Sequence, residues 1–252
     1  MDSAPAPTPP AHSERPWGSR GRLHEAALNV AKRLVPRPWV QEIRRYRRFN
    51  RAERALYFKI RIANGIRFRG SRRQVIPKSA RSFVFVCFGN IMRSPMCEAL
   101  FRRATKRCSN LNLDIVSAGL NAAAGTAAHP WAVSAAKEMG ISLEGHRARL
   151  LTRAMVDRAD AILAMDYQNQ VELLSRYPDA ADKFFLLGSH ARTSSRPIEI
   201  RDPFFGSEEE TVRCYELLQT CTQNLADSLF RDCEEPQEMG VKQEKSVISQ
   251  RR

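Results

Sequence analysis

Between residues 82 and 231 short apolar runs alternate with stretches of helical periodicity, and few folds accept that order. The apolar runs are "SFVFVC" (82–87), "LDIVSAG" (113–119), "ADAILAM" (159–165) and "KFFLLG" (183–188). Between and after them lie "SPMCEALFRRATKRC" (94–108), "HPWAVSAAKEMG" (129–140), "DYQNQVELLSRY" (166–177) and "SEEETVRCYELLQTCTQNLADSLFR" (207–231). Strands joined by helical crossovers run parallel, and their helices cover both faces of the sheet. The pattern predicts an α/β domain, a four-stranded parallel sheet that is doubly wound. Ser94 is the expected N-cap of the first of these helices, with Pro95 at its first helical position. The last has an acidic first turn that suits its dipole.

Upstream the texture differs. Residues 1–21 are rich in Pro, Ala and Ser and read as disordered. Residues 22–35 carry Leu23, Ala27, Val30 and Leu34 at helical spacing, ended by Pro36 and Pro38. A second helical stretch, 39–63, puts Ile43, Tyr46, Phe49 and Leu56 near one side, and Asn64-Gly65 closes it. Residues 67–80 read as a basic linker. Residues 1–80 hold 19 Lys+Arg and 5 Asp+Glu, while the rest hold 22 of each. All of the net charge of +14 therefore sits in the N-terminal third. The expected organisation is a disordered segment 1–21, a basic helical extension and linker 22–80, an α/β domain 81–233 and a disordered tail 234–252.

Composition narrows the function. No stretch approaches the roughly 20 apolar residues of a membrane span, and the first residues lack the apolar core of a secretory signal. The six cysteines (87, 97, 108, 214, 221 and 233) form no C-x-x-C pair, and the five histidines are scattered. Reduced thiols in a cytoplasm are expected, and no metal site.

One of those cysteines ends the first strand. In "VFVCFGNIMRSP" Cys87 is followed by Gly89 and Asn90, which tolerate unusual backbone angles, then by Arg93 and a helix start. The spacing alone is weak, since Cys97 and Arg103 share it inside a helical pattern. The context is what counts. A strand, a glycine loop and a helix N-terminus aim successive N–H groups at one point and make an anion-binding nest. Arg93 can grip two oxygens of a phosphoryl group. The same positive field favours a thiolate at Cys87, to which Ser94 can donate its hydroxyl, and a thiolate beside a bound phosphoryl group is a nucleophile in place. No GK[ST] follows, so the loop is not of the Walker type.

A phenol leaving group also needs an acid. Asp160, Asp166 and Asp202 are the candidates. Asp202 lies in "RDPFFGS", in a loop after the fourth strand, held extended by Pro203. Loops at the carboxyl ends of parallel strands surround the ligand crevice. Asp166 also follows a strand, where capping the next helix is its simpler role. These considerations place Asp202 only moderately ahead.

The motifs taken together resemble the low-molecular-weight protein tyrosine phosphatase family. "VCFGNIMRSP" is similar to the phosphate loop V-C-x-G-N-I-C-R-S-P, and "SAGL" (117–120), "EGHRARLLT" (144–152), "ILAMD" (162–166) and "DPFFG" (202–206) follow in family order, over about residues 81–232. The resemblance implies Cys87 as nucleophile, Arg93 as phosphate ligand and Asp202 as general acid. It implies a phosphate-binding loop of Phe88, Gly89, Asn90, Ile91, Met92 and Ser94, shaped by Ser117 and His146, and no cofactor. The chain departs from the family at Met92, where many members have a second cysteine that protects the nucleophile. It departs again at Phe204 and Phe205, where tyrosines are usual. Cys97 is an added thiol whose side chain is expected to point away from the loop. "SAGLNAAAG" and "LEGHRAR" are closest to the bacterial subgroup acting on autophosphorylating tyrosine kinases of capsule and exopolysaccharide export. Ile91 matches members active on phosphotyrosine, whereas those active on phosphoarginine carry threonine there.

The rivals are an arsenate reductase, a protein-arginine phosphatase and a non-catalytic phosphate-binding module on the same fold. Arsenate reduction needs relay cysteines just after the third strand, where this chain reads "AMDYQNQ"; Cys214 and Cys221 have ordinary core spacing on one helix. The expected partner is a phosphotyrosine protein, such as a membrane tyrosine kinase. The basic segment 22–73 is expected to pack as a helical pair on the domain with its arginines in water, or else to meet an anionic membrane surface, which suits it better than nucleic acid and would put a cytoplasmic enzyme at the inner membrane face.

Overall fold

In a computed structural model of the chain, residues 46–47, 49–66, 75–191, 199–231 and 233 are described. The described residues from Arg51 onward form one compact unit, which holds the sheet and the helices packed on it. The segments read as disordered (1–21 and 234–252) and the helical stretch 22–35 lie outside the described residues.

The sheet is four-stranded and wholly parallel: β1 (Ser82–Cys87), β2 (Asp114–Gly119), β3 (Ala161–Ala164) and β4 (Phe184–Leu186), in the order β2-β1-β3-β4. Strand β1 is central and pairs Cys87 with Gly119 on one side and Val86 with Ala164 on the other. Its side chains divide by the period-2 rule. Phe83, Phe85 and Cys87 enter one core cluster; Val84 and Val86 enter the other. Helices cover both faces, as the near-continuous apolar strands require. On the first face lie α2 (Arg93–Ala104), α3 (Pro130–Glu138) and α6 (Glu208–Phe230), through Met96, Phe101, Ala132, Leu218 and Phe230. On the second lie α4 (Arg153–Arg158) and α5 (Tyr167–Arg176), through Val156 and Leu173. The helix preceding them, α1 (Arg51–Ile66), packs on α5.

Several boundaries differ from expectation for local reasons. Ser94 is not the N-cap of α2: Met92 takes that place, with no side-chain cap bond, and Ser94 lies inside the helix with its hydroxyl turned to the loop. That helix also ends early, where the Thr105 hydroxyl bonds back to the Phe101 carbonyl, and a 3-10 turn Lys106–Cys108 follows. Helix α4 is not expected from the sequence; six residues are too few for a periodic signal, yet Thr152 caps it through the Met155 N–H. In the basic stretch the helix breaks at Phe49–Asn50, and α1 runs through Asn64-Gly65 to Ile66. The end of the expected linker is core, since Ile76 and Ala80 are buried in the cluster under β1.

Candidate active site

Cys87 ends β1 at the carboxyl edge of the sheet, and the chain turns through Phe88–Met92 into α2. The turn depends on Asn90, whose φ of 53° is the one positive value among the described non-glycine residues. Asparagine tolerates that region because its short side chain bonds locally, and here the residue is held at every polar group. Its N–H lies 3.2 Å from the Cys87 sulfur. Its Nδ2 donates to Ser94 Oγ (2.9 Å) and Ser117 Oγ (3.0 Å), and its Oδ1 accepts the Arg149 N–H. His146 Nε2 sits 2.6 Å from the Asn90 carbonyl. Asn90, Ser94 and Ser117 are fully buried.

The Cys87 sulfur is buried, and besides the Asn90 N–H it has Ser94 Oγ at 3.0 Å. Both groups lie within hydrogen-bonding distance of the sulfur. A carbon added at Gly119 would lie 2.9 Å from both Asn90 N and Phe88 O, so the end of β2 must be bare for the loop to lie on it. Leu120 N and Asn121 N then bond the carbonyls of Cys87 and Phe88.

Arg93 opens α2 and is 2% exposed. Its Nη1 donates to Asp166 Oδ2 (2.7 Å) and to the Ile200 carbonyl (2.9 Å); its Nη2 donates to Asp202 Oδ2 (2.7 Å). Burial on its own would make this cation easier to deprotonate, but Asp202, Asp166 and the Cys87 sulfur outweigh it and hold the guanidinium charged.

The three candidate acids separate cleanly. Asp160 belongs to the opposite edge of the sheet, where its Oδ2 accepts the N–H groups of Arg81 and Ser82 at the start of β1. Asp166 caps α5 through the Asn169 N–H, as its position suggests, and also pairs with Arg93. Asp202 is extended before Pro203, partly exposed, and in contact with Arg93 Nη2. The loop residues Phe88–Met92, Ser94, Ser117 and His146 are brought together around Cys87, whereas Cys97 faces the core, 3.9 Å from the Met165 sulfur.

Sequence reasoning missed other contributors. Glu98 Oε2 accepts the Ser117 hydroxyl at 2.7 Å, fixing the direction of that proton. The buried Tyr215 phenol donates to the Met92 carbonyl at 3.0 Å, and burial keeps it protonated and able to do so. His129 donates its N–H to the Ile91 carbonyl and caps α3 by accepting the Trp131 N–H. Glu98 falls one turn after Ser94 on the same helix, a usable signal; Tyr215 and His129 have none without the tertiary structure. Among the described residues no group of His, Cys, Asp and Glu could hold a metal ion.

The chain matches the model of the family described as low molecular weight phosphotyrosine protein phosphatase over residues 82–235. It is 38% identical over 124 residues to a probable low molecular weight protein-tyrosine-phosphatase EpsP of Ralstonia nicotianae, covering 49% of this chain and 79% of that one. It is 36% identical over 149 residues to a protein-arginine-phosphatase of Bacillus subtilis, covering 59% and 97%. The crystal structure of the tyrosine phosphatase Wzb from Escherichia coli K30 in complex with sulphate superposes with a TM-score of 0.54 at 33% identity, over 60% of this chain and 99% of that one. With a matching domain, a parallel sheet of the same fold and the motifs in order, the chain belongs to the low molecular weight phosphotyrosine protein phosphatase family.

Proposed function

We propose that the chain hydrolyses phosphotyrosine in proteins through a cysteinyl-phosphate intermediate. The observation that carries this reading is the placement of a buried sulfur and a buried guanidinium on one loop, with a partly exposed carboxylate touching the guanidinium. The incoming phosphate dianion competes with Asp202 for Arg93 Nη2 while Asp166 keeps hold of Nη1. The Cys87 thiolate attacks phosphorus, the P–O bond to the phenol breaks, and Asp202 gives its proton to the departing oxygen. Loop amides and Arg93 bear the charge on the equatorial oxygens. Water, giving a proton to the Asp202 carboxylate, then attacks phosphorus; the S–P bond breaks and the thiolate returns. The phenol ring stands beside Phe204 and His129.

Phosphotyrosine is favoured over phosphoarginine by Ile91, whose bulk lines the loop where a smaller residue would widen it. Arsenate reduction is disfavoured because Cys214 and Cys221 are buried, with thiols pushed up to about 12, mainly by burial. The target implied by the subgroup motifs is a bacterial tyrosine kinase of exopolysaccharide synthesis or export. A second reading concerns the membrane: α1 exposes Phe58 and Ile62 beside Arg51 and Lys59, the pattern of a helix that meets an anionic lipid surface.

The test is release of phosphate from phosphotyrosyl and phosphoarginyl peptides by the wild type, Cys87→Ser and Asp202→Asn. We expect turnover of the phosphotyrosyl peptide, none with Cys87→Ser, and a loss of about 100-fold or more in kcat with Asp202→Asn. Faster phosphoarginine hydrolysis, or turnover surviving in Cys87→Ser, overturns the reading.

A further inference from the structure

Two of the six cysteines take no part in the site and lie together near the amino edge of the sheet. Cys108 ends the 3-10 turn that follows α2 and is buried. Cys233 follows the end of α6, and it alone among the cysteines is not buried. Several contacts join the two segments. Phe230, in the last turn of α6, packs on Phe101 of α2 and on Phe83 at the start of β1, with ring centroids 6.4 and 6.1 Å away. Arg107 Nη2 pairs with Asp227 Oδ1 at 2.9 Å. Cys233 packs against the core cluster to which Cys108 belongs, and its N–H bonds the Phe230 carbonyl, so the chain keeps turning past α6. The two sulfurs are near enough to act on each other. Burial first, and then the Cys233 thiol, push Cys108 up to about 11, while the Arg107 guanidinium pulls the other way.

The other thiols have different surroundings. Cys97 faces the Met165 sulfur, and Cys214 lies 3.7 Å from the Arg201 carbonyl. Cys233 is thus the thiol that an oxidant in water meets first, and Cys108 is the thiol beside it. Exposure and a nearby resolving cysteine are what make a pair sensitive to oxidation.

We propose that Cys108 and Cys233 are a peroxide-sensitive pair, whose disulfide staples the end of α6 to the end of α2 and stabilises the domain. The Cys233 thiolate attacks one oxygen of hydrogen peroxide; the O–O bond breaks, a sulfenic acid forms, and the other oxygen takes up a proton and leaves as water. The Cys108 sulfur gives up its proton and attacks the Cys233 sulfur; the S–O bond breaks and a second water leaves. Two electrons pass from the dithiol to the peroxide. The new bond closes a loop that spans most of the domain, the case in which a cross-link most restricts the unfolded chain. It also ties together the helix that opens with Arg93 and the helix that carries Tyr215.

The test treats the full chain, as wild type and as Cys87→Ser, with a small excess of hydrogen peroxide, followed by tryptic digestion without reductant. Cys87→Ser keeps oxidation of the nucleophile apart from oxidation of the pair. We expect residues 108–137 joined to residues 232–242 in both. The oxidised chain should unfold roughly 5 °C above the reduced chain, and dithiothreitol should remove the gain. Cys233→Ser, a small change at a partly exposed site, should give neither the joined peptide nor the gain. Cys108→Ala should leave Cys233 as a sulfenic acid that dimedone traps. Cys108 remaining a free thiol while Cys233 is oxidised to the sulfinic acid, either cysteine joined to a different one, or a linked chain no more stable than the reduced one overturns the proposal.

Discussion

Arg93 shows how one side chain can need several partners. A buried guanidinium leaves water at a cost of several kcal/mol, and only close, well-aimed acceptors offset it. Asp166 and the Ile200 carbonyl take Nη1 and hold the plane of the group, while Asp202 on Nη2 has the more exposed carboxylate. The buried partner and the more exposed partner are thus different residues. Asp166→Asn keeps an oxygen for capping α5 but removes the fixed charge. We expect it to destabilise the fold by about 3 kcal/mol, as breaking a buried pair does, and to raise KM for an aryl phosphate more than it lowers kcat. Denaturant unfolding and steady-state kinetics read the two effects; a variant with wild-type stability and KM would assign Arg93's orientation to the loop backbone alone.

At the scale of elements, the Cys87–Arg93 loop is shaped from outside itself. Gly119 on β2, Glu98 on α2, Tyr215 on α6 and the Arg149 backbone each hold part of it. An added carbon in Gly119→Ala meets the Ala122 side chain at 2.8 Å and loop backbone at 2.9 Å. Overpacking of that kind costs roughly 1–3 kcal/mol, and here it displaces the Asn90 N–H from the sulfur. We expect kcat/KM to fall about tenfold or more, which corresponds to about 1.4 kcal/mol of transition-state stabilisation; unchanged kinetics would mean the loop tolerates the shift. The opposite edge of the sheet titrates instead of reacting. Asp160 binds the N–H groups of Arg81 and Ser82, and those bonds hold its carboxyl below the usual carboxylate range. Because the folded value is lowered, the stabilisation is present above about pH 4 and is lost as pH falls through the folded value. Asp160→Asn should flatten the acid limb of the stability curve by less than about 1 kcal/mol, since the group is exposed and screened. What is legible in the sequence follows the same division. The strands and the cysteine loop are written locally, as apolar runs and a glycine turn, whereas local sequence leaves Asp202 one of three candidates and only the family resemblance singles it out. Ser94 reads as a cap from its neighbours, but its hydroxyl serves the sulfur across the turn. Asp166's second role depends on β3 ending beside Arg93, which no spacing along the chain reveals.

The whole molecule is electrically lopsided, and the described part of the basic region shows what that asymmetry can act on. Helix α1 lies against α5 with Tyr57 buried, so it is part of the folded unit and presents a fixed face. That face combines Phe58, 52% exposed, and Ile62, 57% exposed, one turn apart, with Arg51 and Lys59 also exposed. Apolar side chains at i and i+4 flanked by cations are what a helix needs to lie in the headgroup region of an anionic bilayer, where each basic residue near the surface adds about 1 kcal/mol. We expect the full chain to sediment with vesicles containing phosphatidylserine and not with neutral phosphatidylcholine vesicles, and to be released as salt shortens the Debye length. Phe58→Glu, Ile62→Glu should lower the bound fraction at least tenfold, because insertion is lost and two anions are added, while hydrolysis of a small aryl phosphate in solution continues at the wild-type rate. Binding that survives the double substitution would move the contact to other basic residues, and binding to neutral vesicles as strong as to anionic ones would remove charge from the explanation.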